Sequence, residues 1–131
     1  MISELTIRNF AIIDDIAISF QDGLTVLTGG AGKSIIIDAV NLLTGGRGST
    51  QYIKHGKDRA EIVGQFMLTT NKDNIIALCE TYDIEIENDI IILERILNKN
   101  GNTVCRINNK LVTLAVLREI GEMIVQIHSQ H

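Results

Sequence analysis

Apolar and polar positions alternate twice near the start of the chain, first at Leu5 and Ile7, then at Ile16, Ile18 and Phe20, with Asn9 to Asp15 between them. A period of two sends successive side chains to opposite faces, so the pattern predicts an antiparallel strand pair joined by a longer connection. Asp22-Gly23 predicts a turn. Leu24-Thr25-Val26-Leu27 predicts a short buried strand that runs directly into Gly29-Gly30-Ala31-Gly32-Lys33-Ser34. From there Ile35, Ile36, Asp38, Ala39, Leu42 and Leu43 fall on one helical face, which stops at Gly45-Gly46. The expected order is strand, glycine loop, helix.

Beyond a polar loop containing Arg47, a strand is expected over 60–68 and a helix from Asn71 or Asp73 to about Tyr82, where Ile75, Ile76, Leu78 and Cys79 share a side. Ile90 to Leu97 and Thr103 to Ile107 flank Asn100-Gly101, the dipeptide preferred in tight hairpins because both positions tolerate positive φ. A second turn at Asn108-Asn109 leads to Leu111-Val112. Thr113 is expected to cap a helix over 114–120 that ends at Gly121. Met123-Ile124-Val125-Gln126-Ile127 then predicts a buried strand delivering His128-Ser129-Gln130-His131. Without a repeat or linker, the chain forms one α/β unit with a large antiparallel component.

Composition agrees with this pattern. The 131 residues are 45% hydrophobic and include 23 isoleucines but only five aromatics, so the core is built of β-branched aliphatics that favour sheet. A chain of this size buries enough surface to need no disulfide or metal staple. Its apolar runs are far shorter than the ~20 residues of a membrane span, and the start does not resemble a signal peptide. Cys79 and Cys105 lack metal-site spacing and are expected as buried reduced thiols, in keeping with a cytoplasmic protein. A net charge of −4 excludes a whole-surface electrostatic grip on nucleic acid. Lys54, His55, Lys57 and Arg59 form a local basic cluster expected to be a solvated loop, and His128 and His131 lack a third ligand nearby.

The glycine loop carries the chemistry. Glycines let successive N–H groups turn inward around a phosphate, and a following helix adds partial positive charge. Lys33 would reach the β- and γ-phosphates as a point charge, and the Ser34 hydroxyl would ligate Mg²⁺. The usual pattern places four residues between its first glycine and the Gly-Lys-Ser triplet, yet Gly29 precedes Gly32-Lys33-Ser34 by only two. Either the loop carries a real deletion that weakens nucleotide binding, or two residues of the natural loop are absent from this sequence.

With three further stretches, this loop makes the chain resemble the start of the RecN-type DNA repair ATPases, relatives of the SMC proteins within the ABC ATPase class. They are Leu5-Thr6-Ile7-Arg8-Asn9-Phe10, then Cys105-Arg106-Ile107-Asn108 with Val112-Thr113-Leu114, and Ile127-His128-Ser129-Gln130-His131. The resemblance covers essentially the whole chain. It implies an α/β P-loop NTPase fold, specifically an ABC/SMC-type amino-terminal head lobe with a mixed sheet and an antiparallel β subdomain. It further implies ATP and Mg²⁺ as cofactors, contacts from Gly29, Gly30, Ala31, Gly32, Lys33, Ser34 and Ile35, and a Q-loop glutamine at Gln130 that would share Mg²⁺ with Ser34. Lys33 and Gln130 would be the catalytic groups, Arg8 and Asn9 would lie near the nucleotide, and Arg47 would approach nucleotide or DNA.

In the resembled family the residues that position water and close over the γ-phosphate come later, after a coiled coil, in a carboxy-terminal lobe, and two heads sandwich ATP. The chain is therefore expected to be one partial head lobe over 1–131, nearly inactive alone, that works in a homodimer on DNA in the bacterial cytoplasm and nucleoid. Two alternatives remain: another SMC-like or RecF-like head, and a nucleotide-free dimerisation or DNA-docking module if the short loop is real.

Overall fold

The computed structural model describes residues 1–20 and 30–129, with the backbone path alone for 30–33 and 126–129. Six strands, β1 (Ile2–Phe10), β2 (Ile13–Ser19), β3 (Arg59–Met67), β4 (Ile90–Asn98), β5 (Thr103–Ile107) and β6 (Lys110–Val112), form one sheet in the order β2-β1-β3-β4-β5-β6. Every pairing among them is antiparallel. Among the described residues three α-helices accompany the sheet, α1 (Gly30–Leu43), α2 (Lys72–Thr81) and α3 (Leu114–Ser129), with a short 3-10 turn at Thr50–Tyr52. The expected turn at Asp22-Gly23 and strand over 24–27 lie outside the described residues.

Register explains the core. Leu5 pairs with Gly64, Gly64 with Leu93 and Leu93 with Ile107, while Ile7, Ile62, Arg95 and Cys105 form the adjacent row. All eight are buried on one face, where α1 packs on β3 and β4, and α3 packs on β5 and α2. Gly64 is a glycine because a β-carbon there would collide with Leu43 at the end of α1. The glycine lets the helix approach the sheet closely.

The first hairpin is tighter than the longer connection expected over Asn9 to Asp15. Its ladder continues through Arg8 and Asp15 to Phe10 and Ile13, leaving only Ala11 and Ile12 as the connection. Asn9 and Ala11 take positive φ, 53° and 54°, and bend the chain so that fully buried Phe10 stacks on Tyr52 at 5.1 Å. Asp14 and Asp15 belong to the strand because β2 lies at the edge of the described sheet, where their exposed side chains do not oppose strand formation.

Helix α2 begins where expected, but Asn71 adopts a left-handed conformation, φ 55°, and makes no side-chain cap bond; its Oδ1 instead accepts from Asn74 Nδ2. At the β4–β5 turn only Gly101 takes positive φ, in a four-residue loop. Asn108 and Asn109 supply the turn in which both central residues do. Asn108 also accepts from the Ile92 N–H through Oδ1 and donates to Glu85 O through Nδ2.

The end of the chain corrects the expected pattern. Thr113 does cap α3, its Oγ1 accepting from the Val116 N–H at 3.2 Å. The helix then continues through Gly121 and includes the segment expected to be a strand. Leu117, Ile120, Gly121 and Ile124 are buried, with Arg118, Glu119 and Glu122 exposed, which is helical periodicity hidden inside a short apolar run. Gly121 does not terminate the helix; it is where α3 crosses Thr44, whose backbone leaves no space for a β-carbon.

Candidate functional site at the two ends of helix α1

Helix α1 opens on Gly30-Ala31-Gly32-Lys33, so Gly32 and Lys33 lie in its first turn and Ser34 follows directly. The first four N–H groups of a helix have no partner within it, and the aligned peptide dipoles place partial positive charge there. This arrangement suits a phosphate. Ser34 is exposed just beyond that turn, while Ile35 is half-buried and Ile36 buried, turning the helix's apolar side to the core. Backbone N–H groups and a serine hydroxyl are the kinds of group that hold a Mg²⁺-bound triphosphate.

The remaining candidates separate. Arg8 lies on β1, half-exposed, with Nε 3.6 Å from Asp15. The Asn9 carbonyl accepts from the Lys54 N–H at 2.8 Å. Within the basic cluster, Lys54 pairs with Asp14 at 3.3 Å and Arg59 approaches Glu61 at 4.0 Å. Gly29, Gln130 and His131 fall outside the described residues. Among the described residues no group of three His, Cys, Asp or Glu side chains gathers to hold a metal, and no helix is long and apolar enough to cross a membrane.

Arg47 sits at the opposite end of α1 from the phosphate loop. Ten residues at 1.5 Å rise separate Lys33 from Leu43, about 15 Å along the axis. Exposed Arg47 follows that end directly, beside Arg95, a residue the linear pattern did not single out. Arg95 occupies a core position of β4 with 1% exposure. Its Nη1 donates to the carbonyls of Leu42 at 2.7 Å and Gly46 at 2.8 Å, and its Nε to Thr103 Oγ1 at 2.7 Å. The guanidinium thus satisfies carbonyls that the end of a helix leaves open and meets the negative end of its dipole. Burial, with the neighbouring Arg118 charge opposing as well, pulls its pKa below the ordinary arginine value. The signal available in the sequence was an arginine at the buried parity of β4, in the series Ile91, Leu93, Arg95, Leu97.

Comparison with known proteins identifies this architecture. An AAA domain family model matches residues 4–129. The DNA repair protein RecN of Bacillus subtilis is 48% identical over 133 residues, covering 100% of this chain and 23% of that protein. RecN of Halalkalibacterium halodurans is 53% identical with the same coverage. The chain thus spans about a quarter of the length of these relatives. Both alignments run two positions beyond the chain's 131 residues, so each relative carries two residues that this chain lacks. A structure described for ATP-driven dimerization and DNA-stimulated activation of SMC ATPases superposes with a TM-score of 0.72 at 23% identity, covering 94% of this chain and 80% of that one, which establishes the SMC-head fold. The glycine-lysine-serine segment opening α1, the antiparallel sheet it packs on and the family match over 4–129 together mean that the chain belongs to the AAA domain family.

Proposed function

We propose that the chain is the ATP-binding amino-terminal lobe of a DNA double-strand-break repair ATPase, one partial head that acts with a carboxy-terminal lobe of the same protein. The observation that carries this reading is the Gly30-Ala31-Gly32-Lys33-Ser34 turn at the start of α1. In this reading Gly29 to Ile35 hold the phosphates, with Lys33 neutralising the β- and γ-phosphates. Ser34 and Gln130 serve Mg²⁺, Gln130 as a neutral amide oxygen that positions metal or water without adding charge. Arg8 and Asn9 lie near the nucleotide, and Arg47 meets DNA or a neighbouring nucleotide.

Two copies would sandwich ATP between heads in the bacterial cytoplasm and nucleoid, and engagement would change how the assembly handles DNA. The lobe alone would hydrolyse almost no ATP, because groups that position water and neutralise the γ-phosphate come from elsewhere. Calorimetry with MgATP tests the assignment: Lys33→Ala should lower affinity at least tenfold, and unchanged binding would overturn it.

The two-position difference from the relatives favours a second reading. If those residues are missing from the phosphate loop itself, the loop has fewer N–H donors, and the lobe serves in dimerisation or DNA docking without nucleotide. Intact mass of the purified protein, together with MgATP titration to millimolar concentration, separates the two readings.

A further inference from the structure

A cavity of about 520 Å³ opens at the carboxyl end of α1, between the loop that follows the helix, the β4–β5 hairpin and the start of α3. Arg47, Arg95 and Arg118 all line it. Among the described residues no carboxylate lines the cavity, and none of the three arginines forms an ion pair. Three like charges around one concavity repel one another, and their field is relieved by an anion.

The cavity is shaped as well as charged. Arg95 is buried, and hydrogen bonds to Leu42, Gly46 and Thr103 fix its Nη1 and Nε. Its Nη2 makes no hydrogen bond to a described residue. That nitrogen points past Gly48, where a β-carbon would stand 3.0 Å away, and only a glycine leaves the approach open. Arg118 is held in place by its Nε bond to Gly45 O at 3.1 Å. Asn98 and Asn102 from the hairpin also line it. A rigid buried guanidinium beside two more accessible ones, with an open glycine, matches the planar, multidentate recognition of phosphoryl oxygens.

We propose that this cavity is a second phosphate-binding site, built on Arg47, Arg95 and Arg118 and separate from the phosphate loop at the other end of α1. The burial of Arg95 and its proximity to Arg118 both disfavour its charge, and a bound phosphate would offset that cost. The phosphate comes either from a free small molecule or from the backbone of a nucleic acid strand. The proposal shares Arg47 with the function proposed above but does not require nucleotide at the loop, which Lys33→Ala tests separately.

The test uses the chain carrying Lys33→Ala, so that the loop contributes little, and titrates it with inorganic pyrophosphate and with a short oligothymidylate. Adding Arg47→Glu or Arg118→Gln should weaken binding at least tenfold. Adding Lys57→Glu, an equal charge reversal on an exposed residue outside the cavity, should change it less than twofold. A tenfold loss for pyrophosphate supports the site and a free phosphate as its ligand. A loss confined to the oligonucleotide supports the site with a strand backbone as ligand. Binding that ignores Arg47→Glu, or that falls equally with Lys57→Glu, overturns the proposal, as does failure of both probes to bind.

Discussion

Arg118 closes over Gly45: its Nε donates to the Gly45 carbonyl at 3.1 Å, and its α-carbon fills the space that a side chain on Gly45 would need. Gly45 accommodates this at φ +103°, a conformation that residues with a β-carbon rarely adopt. One turn further along α3, Gly121 lies against the Thr44 backbone in the same way. The end of α1 and the middle of α3 therefore meet backbone to backbone.

Gly121→Ala should destabilise the lobe by about 1–3 kcal/mol, the usual cost of overpacking a close contact. At an open helical site the same change would stabilise by up to about 1 kcal/mol, so the sign is diagnostic. Urea denaturation followed by circular dichroism measures it, and a gain in midpoint would show that the crossing has slack.

Arg95→Met keeps much of the side-chain volume and removes the donors that satisfy Leu42 O and Gly46 O. Stability should fall by about 3 kcal/mol, because carbonyls at a packed helix end lose charged partners. Thr103→Val, which removes only the bond to Arg95 Nε and the Thr103 bond to Ile96 O, should cost about 1 kcal/mol. Equal losses for the two variants would contradict this ranking.

Both cysteines are buried and free. Burial pushes the Cys79 thiol up to about 11 and raises that of Cys105, where the Arg95 charge partly opposes the rise. Because the folded state holds the thiol proton more tightly than the unfolded state, the contribution is intact below about pH 9. Stability should fall as pH rises from about 9 to 11. A thiol reagent at pH 8 should label neither cysteine until denaturant is added; rapid native labelling would show that the core opens locally.

Ser34→Ala should weaken binding of MgATP while leaving binding of metal-free ATP within about twofold, since the hydroxyl serves the cation rather than the phosphate. Calorimetry with and without EDTA reads the difference. Equal losses under both conditions would assign Ser34 to the phosphates instead.

Strands with clean alternation were legible from the sequence, as in Ala60, Ile62 and Phe66, because one buried face leaves a period of two. Helix α1 was legible from its face and its terminal glycines. The carboxyl half of α3 was not: Met123 to Ile127 is too short a run to separate helix from strand, and Gly121 looks like a stop signal when its reason is the facing Thr44 backbone. Of the site, the Gly-Lys-Ser turn was visible as a motif, since its chemistry is local. Arg95 was invisible because its partners, Leu42 and Gly46, lie about fifty residues away in the chain and meet it only through the sheet register.

Helix α1 is fastened at its far end by Arg95 from below and by α3 alongside, while the phosphate loop sits at the other end. Buried Ile36 and Ala39 seat the rest of the helix on the sheet as well. The helix is therefore anchored along its length, and shifting it would break the bonds from Arg95 to Leu42 and Gly46 that form the cavity wall.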